Sequence, residues 1–172
     1  MNKISFLKTS AIILFTTCIS LATIAQGSVK SPADSTTGRV GEATVKIKYS
    51  SPSVNGRKIW GGLEPYDKVW RAGANNATTF TVDKDVQVEG KTLTAGKYAF
   101  FVIPTEGADW TVIFNKVANQ WGAFKYDQTQ DALRVSVKPR KAAAPKERLA
   151  YSVNPDGVLL QWENIELPVA VK

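Results

Sequence analysis

One irregular stretch of the chain, residues 55–79, concentrates the side chains that are best suited to binding a ligand. Arg57 and Arg71 stand close in sequence to Trp60 and Trp70, with glycines between the two indoles. A guanidinium group donates paired hydrogen bonds and stacks on aromatic rings, which suits carboxylates, phosphates and sugars. The glycines allow the backbone to approach a ligand closely. This combination predicts a binding surface.

Tyr66 and Asn75 complete the candidate binding set in the same stretch. A long connection without regular structure is usually either functional or disordered, and this one is too aromatic for disorder. A structural interpretation is also open, in which both indoles plug one end of the fold and the arginines hold the loop to carbonyl or acid groups. We take ligand binding as the leading hypothesis.

Two carboxylates of this stretch, Glu64 and Asp67, suggest an alternative function. Carboxylates held about 5 to 9 Å apart in different environments can hydrolyse a bond by acid and base catalysis. Salt bridges to Arg57 or Arg71 explain the two acids more simply. We therefore expect no catalytic residue, with a carboxylate-dependent hydrolase as one alternative and a structural envelope protein without a ligand as the other.

The composition excludes several common kinds of active site. The chain has no histidine, and its single cysteine, Cys18, lies in the apolar N-terminal segment. Without imidazole or thiolate, the rest of the chain lacks the usual ligands of zinc, copper and haem. It also lacks the base of Ser-His-Asp and Cys-His enzymes. We expect neither a metal nor a cofactor.

The first 25 residues have the pattern of a secretory signal peptide. Lys3 and Lys8 make its start basic, residues 11–24 are mostly apolar, and Ala25 precedes a polar segment. The apolar run is too short for a comfortable membrane span, although an uncleaved anchor is the competing interpretation. We predict cleavage after Ala25 and export to the periplasm or the extracellular space, with no stable membrane insertion.

The charge of the chain is modest. Its formal net charge is +7, and removal of Lys3 and Lys8, the charged residues of the predicted signal, lowers it to +5. A charge of this size serves solubility and does not indicate a nucleic-acid partner. A basic cluster at residues 138–148 contains proline and alanine, and we interpret it as an exposed loop. The expected partner is a small ligand, a glycan or another envelope protein.

Alternation of polar and apolar residues recurs along the rest of the chain and predicts strands. The predicted strands cover residues 44–49, 78–82, 86–88, 97–104, 109–115, 133–137, 149–153, 158–162 and 165–171, with a further short candidate at 120–126. Turn signals separate them, and no segment shows a convincing helical period. The pattern predicts an all-β fold, an antiparallel β-sandwich with jelly-roll or immunoglobulin-like topology as alternatives.

The predicted domain organisation is simple. Residues 26–38 are rich in serine, threonine, glycine and proline, which is typical of a flexible leader. Residues 39–172 have the length of one domain. We therefore expect a single β-sandwich domain after a signal peptide and a short leader.

The motifs of the irregular stretch also resemble those of a known family. They run from Tyr49 to Leu63 and continue through Pro65-Tyr66, Val69-Trp70-Arg71 and Gly73-Ala74-Asn75. Later motifs that fit the same family are Gly96-Lys97-Tyr98, Ile103-Pro104, the run from Trp110 to Asn115, Trp121-Gly122 and Arg134-Val135. Together they are similar to the domain-of-unknown-function 2911 family of small secreted bacterial proteins, from about Ser31 to near the C-terminus.

This resemblance implies secretion and a compact β domain, and it carries no activity, cofactor or substrate. The chain departs from the family pattern at Ser51, where many relatives have arginine. The departure weakens any shared anion site that would use this position. The resemblance supports residues 57–75 as one structural unit.

Overall fold

The computed structural model describes residues 30–172, in which strands form nearly all of the regular structure. The predicted signal peptide lies outside the described residues, so cleavage and export stay predictions. The described strands are β1 (Ala33–Val40), β2 (Ala43–Ser50), β3 (Thr78–Val82), β4 (Val86–Val88), β5 (Lys91–Leu93), β6 (Gly96–Ile103), β7 (Trp110–Asn115), β8 (Asp131–Val137), β9 (Arg140–Asn154) and β10 (Gly157–Ala170). One short 3-10 helix, Gln128–Gln130, precedes β8.

Six of the strands form one antiparallel sheet in the order β1-β2-β3-β6-β7-β8. Strands β9 and β10 form a long antiparallel hairpin, and β4 pairs with β5 in a small third sheet. The long hairpin packs on one face of the six-stranded sheet and shares its hydrophobic core. The predicted antiparallel β-sandwich in a single domain is therefore confirmed.

The core lies between the large sheet and the long hairpin. Side chains alternate between the two faces of a strand, so every second residue of the sheet points inward. Phe80, Phe100 and Phe114 from three neighbouring strands are fully buried there against Leu160 and Trp162 of the hairpin. Since the described part of the chain has no cysteine, apolar burial rather than disulfides stabilises this core.

The opposite, outer face of the large sheet is divided into two halves. On β6 and β7, Ala99, Phe101 and Ile113 form a second buried cluster under Ala123 and Tyr126 of the following connection. These central strands are thus buried on both faces, which explains their nearly continuous apolar sequences. On β1, β2 and β3 the outer face carries polar side chains.

Two predictions about the edges of the fold are wrong. The proposed flexible leader and the domain start at residue 39 overlap β1, which pairs with β2 along its whole length, from Ala33 opposite Ser50 to Val40 opposite Ala43. Ladder hydrogen bonds to a neighbouring strand outweigh the weak strand propensity of this serine- and threonine-rich sequence. The basic cluster at residues 138–148 is exposed as expected, but most of it belongs to β9 and not to a loop.

Two further differences concern the number of strands. Predicted strands at residues 158–162 and 165–171 are one strand, β10, which is interrupted by register shifts on either side of Glu163. The short candidate at residues 120–126 is mainly turns, with only a single bridge between Trp121 and Asn76. Among residues 30–172, no helix is long and apolar enough to cross a membrane.

Candidate functional site

The irregular stretch connects β2 to β3 and is anchored in the core by its tryptophans. Trp70 pairs through its backbone with Val102 at the end of β6, and its indole N–H donates to the Gly73 carbonyl at 3.2 Å. Its ring stacks on Trp162 with centroids 5.7 Å apart, and Trp60 lies 4.7 Å from Trp110. Four of the five tryptophans therefore form one buried group, as the structural interpretation of the two indoles expected.

The backbone of the stretch is held in unusual conformations by specific hydrogen bonds. Four non-glycine residues have positive φ angles: Asn55, Asp67, Ala72 and Asn75. The carbonyl of buried Ala72 accepts hydrogen bonds from the hydroxyls of Thr78 at 2.8 Å and of Tyr151 at 2.6 Å. Such conformations cost free energy and persist only where the surroundings hold them.

The two arginines and Asn75 differ in exposure and in their hydrogen-bond partners. Arg57 is exposed and donates to the carbonyls of Val54 at 2.9 Å and of Ser53. Arg71 is half-buried, and its Nε has no hydrogen-bond partner among the described residues. Asn75 is exposed and donates to the Ser31 carbonyl at 3.4 Å. Both arginines act electrostatically on Glu64, whereas Asn75 bonds to the N-terminal end of the described chain.

The two candidate catalytic carboxylates differ in environment. Burial raises the pKa of Glu64 to about 7, although Arg71 and Arg57 act to lower it. Asp67 is exposed and accepts from the Thr105 hydroxyl at 3.1 Å. The expected salt bridges to the arginines are not found, because the ion pairs of the described residues are Lys84–Glu42, Arg134–Asp131 and Arg140–Glu166.

Part of the predicted binding set lines a cavity of about 590 Å³, which we call the end cavity. Trp60 and Tyr66 from the irregular stretch meet Trp110 from the start of β7 in its walls. Its volume falls within the range of about 300 to 1,000 Å³ that is typical of small-molecule sites. The other candidates, Arg57, Trp70, Arg71, Asn75, Glu64 and Asp67, do not line this cavity.

Charged side chains of both signs surround the aromatic walls of the end cavity. Lys58 and Lys138 contribute two positive charges, and Asp109 and Glu163 two negative ones. Glu163 has a φ of 53° and lies between the two register shifts of β10, and such irregularities re-aim side chains next to sites. The cavity therefore carries both positive and negative side chains, without a strong excess of either charge.

Hydrogen-bonding groups complete the end cavity. The Trp110 indole donates to the Thr105 carbonyl at 3.0 Å, whereas the buried indole N–H of Trp60 has no partner among residues 30–172. Desolvation, followed by Glu106 and Glu163, raises the pKa of Tyr66, so its hydroxyl is protonated at neutral pH. The described residues contain no group of three or more acidic, histidine or cysteine side chains that could hold a metal ion.

Most of the cavity lining was not predicted from the sequence. Lys58 lies inside the predicted stretch, and Asp109 and Trp110 lie in one predicted strand, but Lys138 and Glu163 come from segments far away in the chain. Tertiary packing alone brings them together. The one local signal was the aromatic residue at the start of β7, since a tryptophan at a strand end often combines burial with a polar contact.

Comparisons with known proteins place the chain in a family without assigning an activity. No curated protein and no solved structure matches it. The family model described as "Protein of unknown function (DUF2911)" matches residues 31–171, which is nearly all of the described chain and agrees with the motifs noted above. On this match, the chain belongs to the DUF2911 family.

Proposed function

We propose that the protein is an exported, non-catalytic binding domain whose end cavity holds a small, uncharged ligand such as a mono- or disaccharide. The observation that carries this proposal is the meeting of Trp60, Tyr66 and Trp110 in one cavity of ligand size. Export rests on the signal-peptide pattern of residues 1–25 and on the small secreted proteins that the family motifs resemble.

The chemistry of the cavity favours a sugar. A pyranose presents C–H groups on its ring face, which pack on an accessible aromatic ring, here that of half-buried Tyr66, and hydroxyl groups on its edge. Polar side chains around aromatic walls fix the orientation of such a ligand. Lys58 and Lys138 are balanced by Asp109 and Glu163, so a strongly charged ligand would gain little net attraction.

The hydrolase alternative has less support. A carboxylate pair acts on a bond only from within reach of the bound substrate. Neither Glu64 nor Asp67 lines the end cavity. The raised pKa of Glu64 follows from its burial in the loop, and buried carboxylates of this kind also occur without catalysis.

Indole signals in ¹H–¹⁵N spectra test the proposal directly, because Trp60 and Trp110 line the end cavity and Trp121 lies outside the buried indole group. Glucose, N-acetylglucosamine and their β-linked dimers would be added to the labelled protein at neutral pH. The expected result is a saturable shift of the Trp60 and Trp110 signals with at least one sugar. The dimers should not be hydrolysed.

Two variants and one control locate the binding. Tyr66→Ala and Lys58→Ala remove one ring and one charge from the cavity walls, and each should weaken binding by about tenfold. Leu63→Ala is the matched control, since Leu63 is exposed in the same stretch and lies outside the cavity. The proposal is rejected if no sugar moves these two indole signals, or if folded Tyr66→Ala and Lys58→Ala bind as the unmodified protein does.

A further inference from the structure

A second hollow of about 510 Å³ lies on the outer face of the large sheet, away from the end cavity. Lys48 from β2, Thr79 from β3 and Lys97 from β6 line its floor. Lys48 stands opposite Thr79, and Thr81 stands opposite Lys97, so these side chains share the outer face. We call this hollow the outer groove.

The wall of the outer groove is formed by the connection between β7 and β8, which is tied firmly to the sheet. Ala77 N–H donates to the Gln120 carbonyl at 3.0 Å, and Gly122 N–H donates to the Asn75 carbonyl at 3.0 Å. The Lys97 ammonium donates to Asn119 Oδ1 at 3.0 Å. The wall therefore has a defined position.

Trp121 lies in this wall with 61 % of its surface exposed, whereas the other four tryptophans are buried. Trp121 belongs to neither hydrophobic cluster, so its ring adds nothing to the core. Large aromatic side chains are seldom this exposed in an ordered segment, and aromatic residues are enriched at binding surfaces. An exposed indole beside a groove is explained better by a ligand than by folding.

The charge around the outer groove has one sign. Outward positions on β1, β2 and β6 carry Arg39, Lys46, Lys48 and Lys97. No aspartate or glutamate occupies an outward position of β1, β2 or β3, and Lys46 and Lys48 form no ion pair with any described residue. This half of the face presents cations to solvent and attracts an anionic ligand.

Amide groups supply a further contact type. Asn76, Asn119 and Gln120 line the groove beside Trp121. The enclosed Oε1 of Gln120 has no hydrogen-bond partner among residues 30–172. This atom has almost no exposed surface and Gln120 Nε2 donates to the Val117 carbonyl at 2.8 Å, so the exposed amide of Asn76 is the group that a ligand hydroxyl reaches. Hydroxyl groups, a ring face and negative charge are thus the three features that the groove recognises.

We propose that the outer groove binds a segment of an acidic polysaccharide. The indole of Trp121 stacks on a sugar ring, Lys48 and Lys97 bind its carboxylate or sulfate groups, and the exposed amide of Asn76 binds a hydroxyl. This site is independent of the end cavity, because no residue lines both.

The observations favour this class of partner over two others. Single-stranded nucleic acid needs several stacking rings along a basic channel, and Trp121 is the aromatic ring whose exposed surface lines this groove. A membrane binds protruding apolar groups; Val117 and Phe124 are exposed on this connection, but neither lines the groove, whose floor is concave and polar. Phe124 is 82 % exposed on the same connection but does not line the groove, which makes it a control.

Two polymers with the same backbone and different charge test the proposal. Polygalacturonate and its fully methyl-esterified form have the same sugar backbone, and only the first is charged; heparin adds a sulfated probe. We expect polygalacturonate or heparin to bind and to move the Trp121 indole signal, with Trp60 and Trp110 unchanged. Binding should weaken with salt. Movement of the Trp121 signal without any effect at Trp60 also separates this proposal from the end-cavity proposal.

Variants on one connection and one sheet face decide where binding occurs. Trp121→Ala should weaken binding by about tenfold, and Lys97→Ala by a similar factor with partial rescue in Lys97→Arg. Phe124→Ala and Lys125→Ala are matched controls, since both residues are exposed on the same connection outside the groove. These two variants should bind normally.

Four outcomes would overturn the proposal. The first is that neither polygalacturonate nor heparin binds, and the second is that the methyl-esterified polymer binds as well as the charged one. The third is an equal loss in the control variants, which would mean nonspecific attraction. The fourth is that oligothymidylate or vesicles of anionic lipid bind more tightly and depend on Trp121, which would assign the groove to nucleic acid or to a membrane surface.

Discussion

The end cavity and the outer groove both present tryptophan, but the two regions use it in opposite ways. In the end cavity, Trp60 and Trp110 are buried and pack within the indole group of the core. In the outer groove, Trp121 is largely exposed and is not a member of either cluster. Core packing accounts for the burial of Trp60 and Trp110, and it does not account for the exposure of Trp121. Substitutions therefore report on ligand binding more cleanly in the groove.

Charge separates the two regions as well. The end cavity mixes two lysines with two carboxylates, whereas the outer groove has lysines without an outward-facing acid on β1, β2 or β3. Mixed charges orient a neutral ligand, and a single sign selects a charged one by long-range attraction that salt screens. The same sandwich thus offers one site with balanced charges and one basic site of similar volume.

Loss of one core indole should produce the largest effect. Trp162 is fully buried, with its ring 5.7 Å from Trp70 and 5.8 Å from Trp60. We expect Trp162→Ala to lower the free energy of unfolding by about 3 to 5 kcal/mol, because a large aromatic leaves a cavity. Urea denaturation followed by far-UV circular dichroism measures this. A loss below about 1 kcal/mol would contradict the central place of the indole group.

The irregular stretch should be sensitive to pH through Glu64. Its pKa is raised from 4.5 to about 7 by burial, so the folded state holds a proton that the unfolded state releases. This contribution to stability is fully present below about pH 4.5 and is lost as pH rises through about 7. Glu64→Gln should remove this pH-dependent loss of stability, and it should stabilise the protein at pH 8 by on the order of 2 kcal/mol.

Denaturation midpoints of the two proteins from pH 4 to pH 8 provide the measurement for Glu64. The curves should meet near pH 4, where both side chains are neutral, and diverge toward pH 8. Parallel curves would show that the carboxylate is solvated and that the stretch is less tightly packed than described.

A smaller effect is expected where the hairpin sheet holds the irregular stretch. The buried hydroxyl of Tyr151 donates to the Ala72 carbonyl at 2.6 Å. Tyr151→Phe removes this donor while the Thr78 hydroxyl still binds the same carbonyl, so we expect a loss of about 1 kcal/mol. Thermal unfolding by calorimetry checks it. An unchanged unfolding temperature would mean that Thr78 alone holds Ala72 in its positive-φ conformation.

The smallest effect on stability should come from the groove. Trp121→Ala should change the free energy of unfolding by no more than about 0.5 kcal/mol, because an exposed ring outside the core contributes little. Urea denaturation compares it with Trp162→Ala under the same conditions. A loss of several kcal/mol would show that Trp121 supports the fold, and the contrast between the two regions would disappear.

Predictions from the sequence were most accurate where the information is local. Residues 78–82 and 86–88 were assigned as strands with the bounds that the structure shows, since alternation with a period of two marks one buried face. The segment at residues 120–126 was interpreted as a short strand, although its residues form turns around Trp121. The aromatic residues of this segment favour a strand by composition. A strand also needs a neighbouring strand to pair with, and the sequence does not show that this segment has none.

The candidate binding set shows where local reasoning stops. Trp60 and Tyr66 do line a cavity, while Trp70 lies behind it in the core and Asn75 faces another side of the sheet. Being close in sequence does not place side chains on one surface when the backbone turns repeatedly through positive φ angles. The members of the predicted set therefore lie in different parts of the fold, which no local sequence pattern indicates.

The amino-acid sequence by itself determined that this is an all-β domain of the DUF2911 family with one aromatic, irregular stretch and without histidine chemistry. Composition and alternation are properties of neighbouring residues, so they are readable from the chain. Only the tertiary structure decided that β1 joins the sheet, that Lys138 and Glu163 line the same cavity as Trp60, and that Trp121 borders a basic groove. Those outcomes depend on strand order, register and bulges, which follow from the total free energy of packing distant segments together.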